Sequence, residues 1–430
     1  MQVLTDTELN LDFQTTPDST TDLCVHEHLR WARDYIVDYL GAERIRSIVL
    51  SGSLAIGEGS AYVDGQGLAK VLSDMDLYII ADERILHDVE TRDVHAHLLD
   101  MNGALNEALN TARSDELLSP IDTIIMTPDE FRSLWTKPKI ITMQLAGRAR
   151  ILWGDEGVVH ETARVSAMDI DDADVFKLFN NRIAEQVFYL NRYDAGYEDE
   201  VSLIFHTAKS AVDTVLASCV AAGCSEHSFV KRLEIFKGLC RDTRLGPGMA
   251  EWAEFWTRYK LAPDISSVIG RYEADDIKTA ACAAWEEAAG RILSALRWSV
   301  RTRLGVDEAN VESLSIHLAG CFGLPVQEAS RRAEIFTIEL ISHNLPALSS
   351  DRTTRLSELG SPRSLMYAAA TLLLAATGKV ETERNRILWT AGEVLPITEP
   401  IQIENSDENW KQLAYETARL WNMLVMGGRR

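Results

Sequence analysis

The chain is short of positive charge: 43 Lys and Arg stand against 65 Asp and Glu over 430 residues, a formal net charge of −22. Sequence-independent binding to DNA or RNA draws most of its affinity from counterions released by clustered Lys and Arg. A polymerase working along a nucleic-acid strand is therefore disfavoured, although net charge leaves room for a local basic groove. Cysteine is scarce as well. Cys24, Cys219, Cys224, Cys240, Cys282 and Cys321 are scattered, with no CxxC pair and no companion histidine at zinc-ligand spacing, which argues against a zinc site and for buried, reduced thiols in the cytoplasm. The opening MQVLTDTELNLDFQTTPDST is acidic and polar and lacks the basic and apolar regions of a signal peptide. The longest apolar stretch, Leu365–Thr377, is too short to span a bilayer and, being alanine-rich, reads as a buried helix. No membrane is expected. Neither a GxxxxGK[ST] loop nor a DFG-like set occurs, which argues against a kinase, and no repeat of fixed period is present.

What remains is ordinary material for folded domains: hydrophobic residues make up 46% and charged residues 25%, in a chain long enough for two or three cores. Strands read near Ser47–Leu50, Leu77–Ala81, Ile121–Met126 and Ala149–Leu152. A helix capped at Thr21 or Asp22 and ended by Gly41 precedes them, and another spans about Val89–Ala112. The acidic run from Met168 to Val175 marks a boundary beyond which the strand signal largely disappears. Val175, Leu178, Phe179, Ile183, Val187 and Leu190 recur at helical steps, and further helices read at Leu203–Val220, Asp275–Leu304 and Leu365–Ala376. The expected architecture is α+β. A flexible leader (1–20) precedes a small mixed-sheet domain (21–165), and a helical domain (175–304) and a C-terminal helical region (305–430) follow.

The segment from Val49 to Ile80 carries the chemistry. It joins an apolar strand, a Gly-Ser turn, a glycine-rich loop and two aspartates that lead into a second apolar strand. Asp74 and Asp76 stand at i and i+2, so an extended backbone points both carboxylates to one face while Met75 turns to the core. Two carboxylates so close resist ionising unless a cation offsets them. Mg²⁺ suits rigid oxygen ligands, since it keeps several waters and shares its other positions with phosphates. Gly52 and Ser53 form a small-residue turn that a triphosphate can approach closely, with the Ser53 hydroxyl as an added donor. Asp-x-Asp alone is more often a solvated turn; here a Gly-Ser turn precedes it and an apolar strand follows.

Gly52-Ser53, Ala55-x-Gly57-Glu58 and Ser73-Asp74-Met75-Asp76-Leu77 together resemble the motif of the DNA polymerase β-like nucleotidyltransferase superfamily, in particular its small bacterial and archaeal members. The likeness covers about Arg44–Gly157, and Arg150–Asp155 resembles the short strand and Gly-acid turn that closes many such domains. It implies a third carboxylate on a neighbouring strand, the place occupied by Asp122, although an Asp after Pro-Ile also suits a turn. It implies transfer of a nucleoside monophosphate from a nucleoside triphosphate, with ATP favoured, to an acceptor hydroxyl with release of pyrophosphate. Asp74, Asp76 and Asp122 would hold two Mg²⁺ ions as metal ligands and catalytic groups, and Gly52 and Ser53 would cradle the phosphates. The acceptor is open: a small metabolite, an aminoglycoside, a lipid or sugar intermediate, or a protein side chain.

The family's appended helices commonly form the acceptor wall, where Arg182, Arg192, Tyr193 and Lys209 are candidates. Such residues on amphipathic helices are mostly solvated; Lys209, with His206 and Asp213 on nearby turns, is the one expected to bind nucleotide. Twenty residues separate Ser53 from Asp74, more than the family's usual gap. Ala61–Lys70, with Gly65 and Gly67, therefore reads as an insertion, either a mobile lid or a longer hairpin tip. Glu58 reads as an exposed loop residue and Asp129 as a helix first-turn acid. His26, His28, His95 and His97 do not share helix faces pairwise as ligands would. The competing reading is a catalytically silent scaffold acting as a binding or regulatory protein, such as a toxin's partner. An RNase motif of the HEPN type needs an Arg followed about four to six residues later by a His on one helix, and no Arg precedes a His at that spacing from Met168 to Arg430.

Overall fold

The structure is a computed structural model that describes the chain apart from residues 1–12, 64–68, 83–93, 113–120, 137, 147, 161–164, 243–244, 246, 307–309, 322–327, 398–405 and 427–430. It is α+β, with a mixed four-stranded sheet and its helices followed by a long, mostly helical region. The chain forms two compact units. The first joins the residues up to Asp171 with Gly223–Glu234 and Glu254–Pro263, and the second takes Asp172–Ala222, Ile235–Ala253 and Asp264–Arg430. The division falls between Asp171 and Asp172, within the acidic run. Two later segments nevertheless belong to the first unit, and the regions expected at 175–304 and 305–430 share the second.

In the first unit the strands are β1 (Ile45–Leu50), β2 (Ala61–Val63), β3 (Ala69–Val71), β4 (Met75–Ala81), β5 (Ile121–Met126) and β6 (Arg150–Gly154). The main sheet runs β5-β4-β1-β6, with β1 antiparallel to both neighbours and β4 parallel to β5. Alternation sorts the side chains to two faces. Leu50, Leu77, Ile79, Ile121 and Ile125 share one core with Leu29 and Ile36 of helix α1 (Ser19–Leu40). Val49, Tyr78, Ile80 and Met126 meet Phe131 and Leu145 on the other.

A parallel pair needs a crossover, which contains helix α3 (Val94–Ala112), packed on β5; the expected helix start at residues 89–93 lies outside the described residues. β5 is an edge strand, and an exposed edge leaves backbone donors and acceptors unpaired. Two asparagines one helical turn apart cover it. Asn110 accepts from the Ile121 N–H at 2.8 Å and donates to the Ile121 carbonyl at 2.9 Å, while Asn106 accepts from the Thr123 N–H at 2.8 Å and donates to its carbonyl at 3.3 Å. These bonds hold β5 on both sides of Asp122.

Two local expectations change, and a third is narrowed. The cap of α1 is Asp18, whose carboxylate accepts from the Thr20 and Thr21 N–H groups. Asp22 instead holds Thr15 and Thr16, accepting from the Thr15 N–H at 2.6 Å and the Thr16 N–H at 3.1 Å. The fully buried Thr15 and its neighbours from Phe13 onward are thus fastened, not a loose leader; residues 1–12 lie outside the described residues. Burial pushes the Asp22 carboxyl up, but the Thr15 and Thr16 hydrogen bonds outweigh it and the net shift is downward. The insertion is a β-hairpin at its base: β2 and β3 pair antiparallel, with Ala61 and Val71 in the α1 core. Its tip, with Gly65 and Gly67, lies outside the described residues.

The second unit is helical. Asp172–Asp194, Glu200–Ala221, Ile277–Leu304, Pro362–Ala376 and Ser406–Leu424 pack on one another, and the alanine-rich segment from Leu365 is buried as its composition requires. Glu200–Ala221 is the one helix among the described residues long and apolar enough to cross a membrane, and 89% of its most apolar window is buried within the fold. The cysteines are unbridged; Cys219 and Cys240 are buried as expected, while Cys321 is exposed.

Candidate active site

The candidate residues meet where β1 ends and β4 and β5 begin. Past Leu50 the Ser51 N–H donates to the Asp76 carbonyl at 3.0 Å, which ties the turn to the neighbouring strand. Gly52 then adopts φ +75°, a region that L side chains rarely occupy, and starts a single helical turn, α2 (Gly52–Ala55). A Cβ added at Gly52 would lie 2.6 Å from Asp76 Oδ2. The Asp76 carboxylate therefore lies against the backbone of the Gly-Ser turn, and an added Cβ would push it aside.

Asp76 and Asp122 are direct partners in the parallel β4–β5 register, so their side chains emerge side by side on one face. Asp74 stands just before β4, and all three are half-buried. The negative charge is felt along the strand: burial, then Asp76, pushes the buried Tyr78 phenol far above its ordinary range, against a hydrogen bond with Ser51. Among the described residues, no group of three or more His, Cys, Asp or Glu converges to hold a metal ion. The donor set nevertheless fits Mg²⁺ in its usual protein mode, in which one or two carboxylates share the ion with waters and phosphate oxygens; it does not make an all-protein cage.

Behind the turn lies a tier of hydroxyls. The Ser53 hydroxyl donates to Ser73 Oγ at 3.1 Å, the Ser60 N–H donates to the same atom at 2.8 Å, and the Lys260 ammonium donates to it at 3.2 Å. The Ser60 hydroxyl donates to the Lys260 carbonyl, and the Leu72 and Ser73 N–H groups close onto the Ser60 carbonyl at 2.9 and 3.1 Å. Lys260 is 4% exposed. Sequence reasoning missed it, because a lysine in the last turn of a helix, here Pro247–Leu261, has an ordinary explanation in the helix dipole. Only the recruitment of Glu254–Pro263 to the first unit brings it beside Ser73.

Other cations lie on the bordering elements. Arg150 donates to the Ala55 carbonyl at 3.2 Å, at the end of α2. Glu58, expected to be exposed, is half-buried and accepts from the Ser228 hydroxyl at 2.6 Å and from the Phe229 N–H, which fixes the start of helix Phe229–Asp242. Beside that start, Arg232 donates to the His227 carbonyl at 3.1 Å. Burial and the positive charge of Arg148, then of Arg232, hold the His227 imidazole below its ordinary range, with Glu226 opposing.

The remaining candidates have their own settings. Lys209 is half-buried in helix Glu200–Ala221 of the second unit. In that unit Arg182 pairs with Glu185 and with Asp213, the latter at 3.2 Å, Arg192 pairs with Glu198 at 2.8 Å, and the Tyr193 hydroxyl donates to Glu200 at 3.1 Å. Asp129 lies in the first turn of the helix capped by Thr127, as expected. Arg46 clasps Asp155 at 3.0 Å, and Gly154 at φ +91° comes so close to the Arg46 carbonyl that a Cβ would lie 2.1 Å from it, which sets the turn closing β6. No protein-family model matches the chain, and no curated protein and no solved structure matches it.

Proposed function

We propose that the chain is a metal-dependent nucleotidyltransferase of the DNA polymerase β-like type, moving a nucleoside monophosphate from a nucleoside triphosphate to an acceptor hydroxyl. The observation that carries this reading is the in-register Asp76–Asp122 pair beside the Gly52–Ser53 turn. A structural scaffold gains nothing from adjacent carboxylates that repel one another, and this favours an active protein over a silent one. Asp74 and Asp76 would hold a Mg²⁺ ion, and Asp122 would help hold a second ion and accept the acceptor's proton. Bound there, Mg²⁺ supplies charge neutralisation at the phosphates and acidifies the acceptor oxygen. The turn and the Ser53 hydroxyl orient the phosphate chain, so the protein's part is chiefly positioning and electrostatic stabilisation.

The test is incubation with Mg²⁺ and each nucleoside triphosphate labelled at the α-phosphate, in the presence of cell extract, followed by a search for label on any small molecule or protein. Asp76→Asn is expected to abolish labelling while leaving the metal-free protein folded and no less stable, since it removes repulsion. A wild-type protein that gains no thermal stability from Mg²⁺ plus any nucleoside triphosphate would refute the reading.

A further inference from the structure

We propose that Lys260 is a positioning residue that keeps the Ser53 hydroxyl available to the substrate phosphates by occupying its competitor, Ser73; this rests on the nucleotidyltransferase reading. A serine oxygen has two acceptor lone pairs. Ser73 Oγ meets three donors: the Ser60 N–H at 2.8 Å, the Lys260 ammonium at 3.2 Å and the Ser53 hydroxyl at 3.1 Å. The Ser60 amide is fixed by the hairpin base, whose Leu72 and Ser73 N–H groups bond back to the Ser60 carbonyl. Lys260 can only donate, and its own carbonyl is held by the Ser60 hydroxyl. The Ser53 hydroxyl is the one donor of the three that can turn away by rotation about a single bond. Ser73 is therefore oversubscribed, and Ser53 is its surplus donor. A phosphate oxygen at the turn takes that hydroxyl without leaving Ser73 unsatisfied, so little hydrogen-bond energy is lost on binding. Without Lys260, Ser53 would settle onto Ser73 and the phosphate would have to compete for it.

The effect acts through Ser73, which distinguishes it from direct attraction between the ammonium and the phosphates. Calorimetric titration of Mg²⁺ with each nucleoside triphosphate provides the measurement, with the nucleoside monophosphate as control. Lys260→Met, close in shape, is expected to weaken triphosphate binding about tenfold, the scale of one bond to a charged oxygen, and to leave the monophosphate's affinity unchanged. Ser73→Ala is expected to stay within about threefold of wild type, because Ser53 then has no competitor, and Lys260→Met added to Ser73→Ala is expected to cost little more. Should Lys260→Met not fold, Ser73→Ala and Ser53→Ala decide: Ser53→Ala alone is expected to lose about tenfold. An equal Lys260→Met loss with and without Ser73 overturns the inference in favour of direct attraction. So does a Ser73→Ala loss as large as that of Ser53→Ala. Wild-type protein that binds no triphosphate removes the functional reading and this inference with it; wild-type binding with Lys260→Met unchanged removes the inference alone.

Discussion

Gly52→Ala tests the geometry of the site through one methyl group. The backbone at φ +75° is the left-handed region, which costs an L residue roughly 1–2 kcal/mol. The new Cβ would sit 2.6 Å from Asp76 Oδ2, where ordinary contact begins at 3.4 Å, so the carboxylate must retreat by 0.8 Å, the difference of the two. The Asp76 backbone cannot take up that movement: its carbonyl is held by the Ser51 N–H and its Cα is locked in register with Asp122. The carboxylate must swing about its terminal torsion instead, a broad and inexpensive motion for the end of a flexible side chain. The backbone term dominates, so the loss is roughly 1–2 kcal/mol, and each kcal/mol lowers the melting temperature of a domain this size by about 2–4 °C. The functional loss should exceed the thermal one, because a shift approaching 1 Å at a reacting group costs on the order of a hundredfold in rate. The assays are thermal melts with and without Mg²⁺ and nucleoside triphosphate, and transfer of α-phosphate label. A variant that keeps wild-type turnover and the full ligand-induced stabilisation would show that the Asp76 carboxylate does not work at this turn.

Three further outcomes are expected. Gly103→Ala should stabilise the protein by about 0.5–1 kcal/mol, because Gly103 lies inside α3 with nothing within 4 Å of the added methyl; a lower melting temperature would show that this part of α3 is not helical. Asn106→Ala should cost roughly 2–3 kcal/mol by stripping the Thr123 N–H and carbonyl of their buried partner, and chemical denaturation would contradict the edge-covering role if the loss were under about half a kcal/mol. For His227 the folded-state value lies below the ordinary one, chiefly through burial and then Arg148. Its contribution is therefore complete above about pH 6.5 and is lost as pH falls through the lower folded value, because the unfolded chain binds the proton more readily. His227→Asn should flatten stability over that acidic range, and an unchanged pH slope would count against the assignment.

Much of the first unit is legible in the sequence because its signals are local. The apolar runs at Ser47–Leu50, Leu77–Ala81 and Ile121–Met126 specify strands, whose side chains alternate between two faces, and the helix ended by Gly41 also stands where the pattern puts it. The facing of Asp76 follows from the same alternation. Local pattern does not reach the contacts made by side chains distant in sequence. That β5 lies beside β4 in the register pairing Asp122 with Asp76 depends on the crossover through α3 and on two asparagines that look like helix-surface residues. Glu58 reads as an exposed loop acid because its partners, Ser228 and Phe229, come from a later part of the chain. The helices Ile265–Arg271 and Ser350–Leu359, 7 and 10 residues long, are too short for an apolar period to stand out.

Composition and periodicity determined an acidic α+β chain with a Gly-Ser turn ahead of an Asp-x-Asp strand. Tertiary structure alone decided that Asp122 would join Asp76, that the insertion would be rooted in the core as a hairpin, and that Lys260 would stand behind Ser53. The physical reason is one of range: backbone preference and side-chain alternation act over a few residues and are written into each segment, whereas a buried ammonium beside a serine exists only after burial has brought two distant segments together.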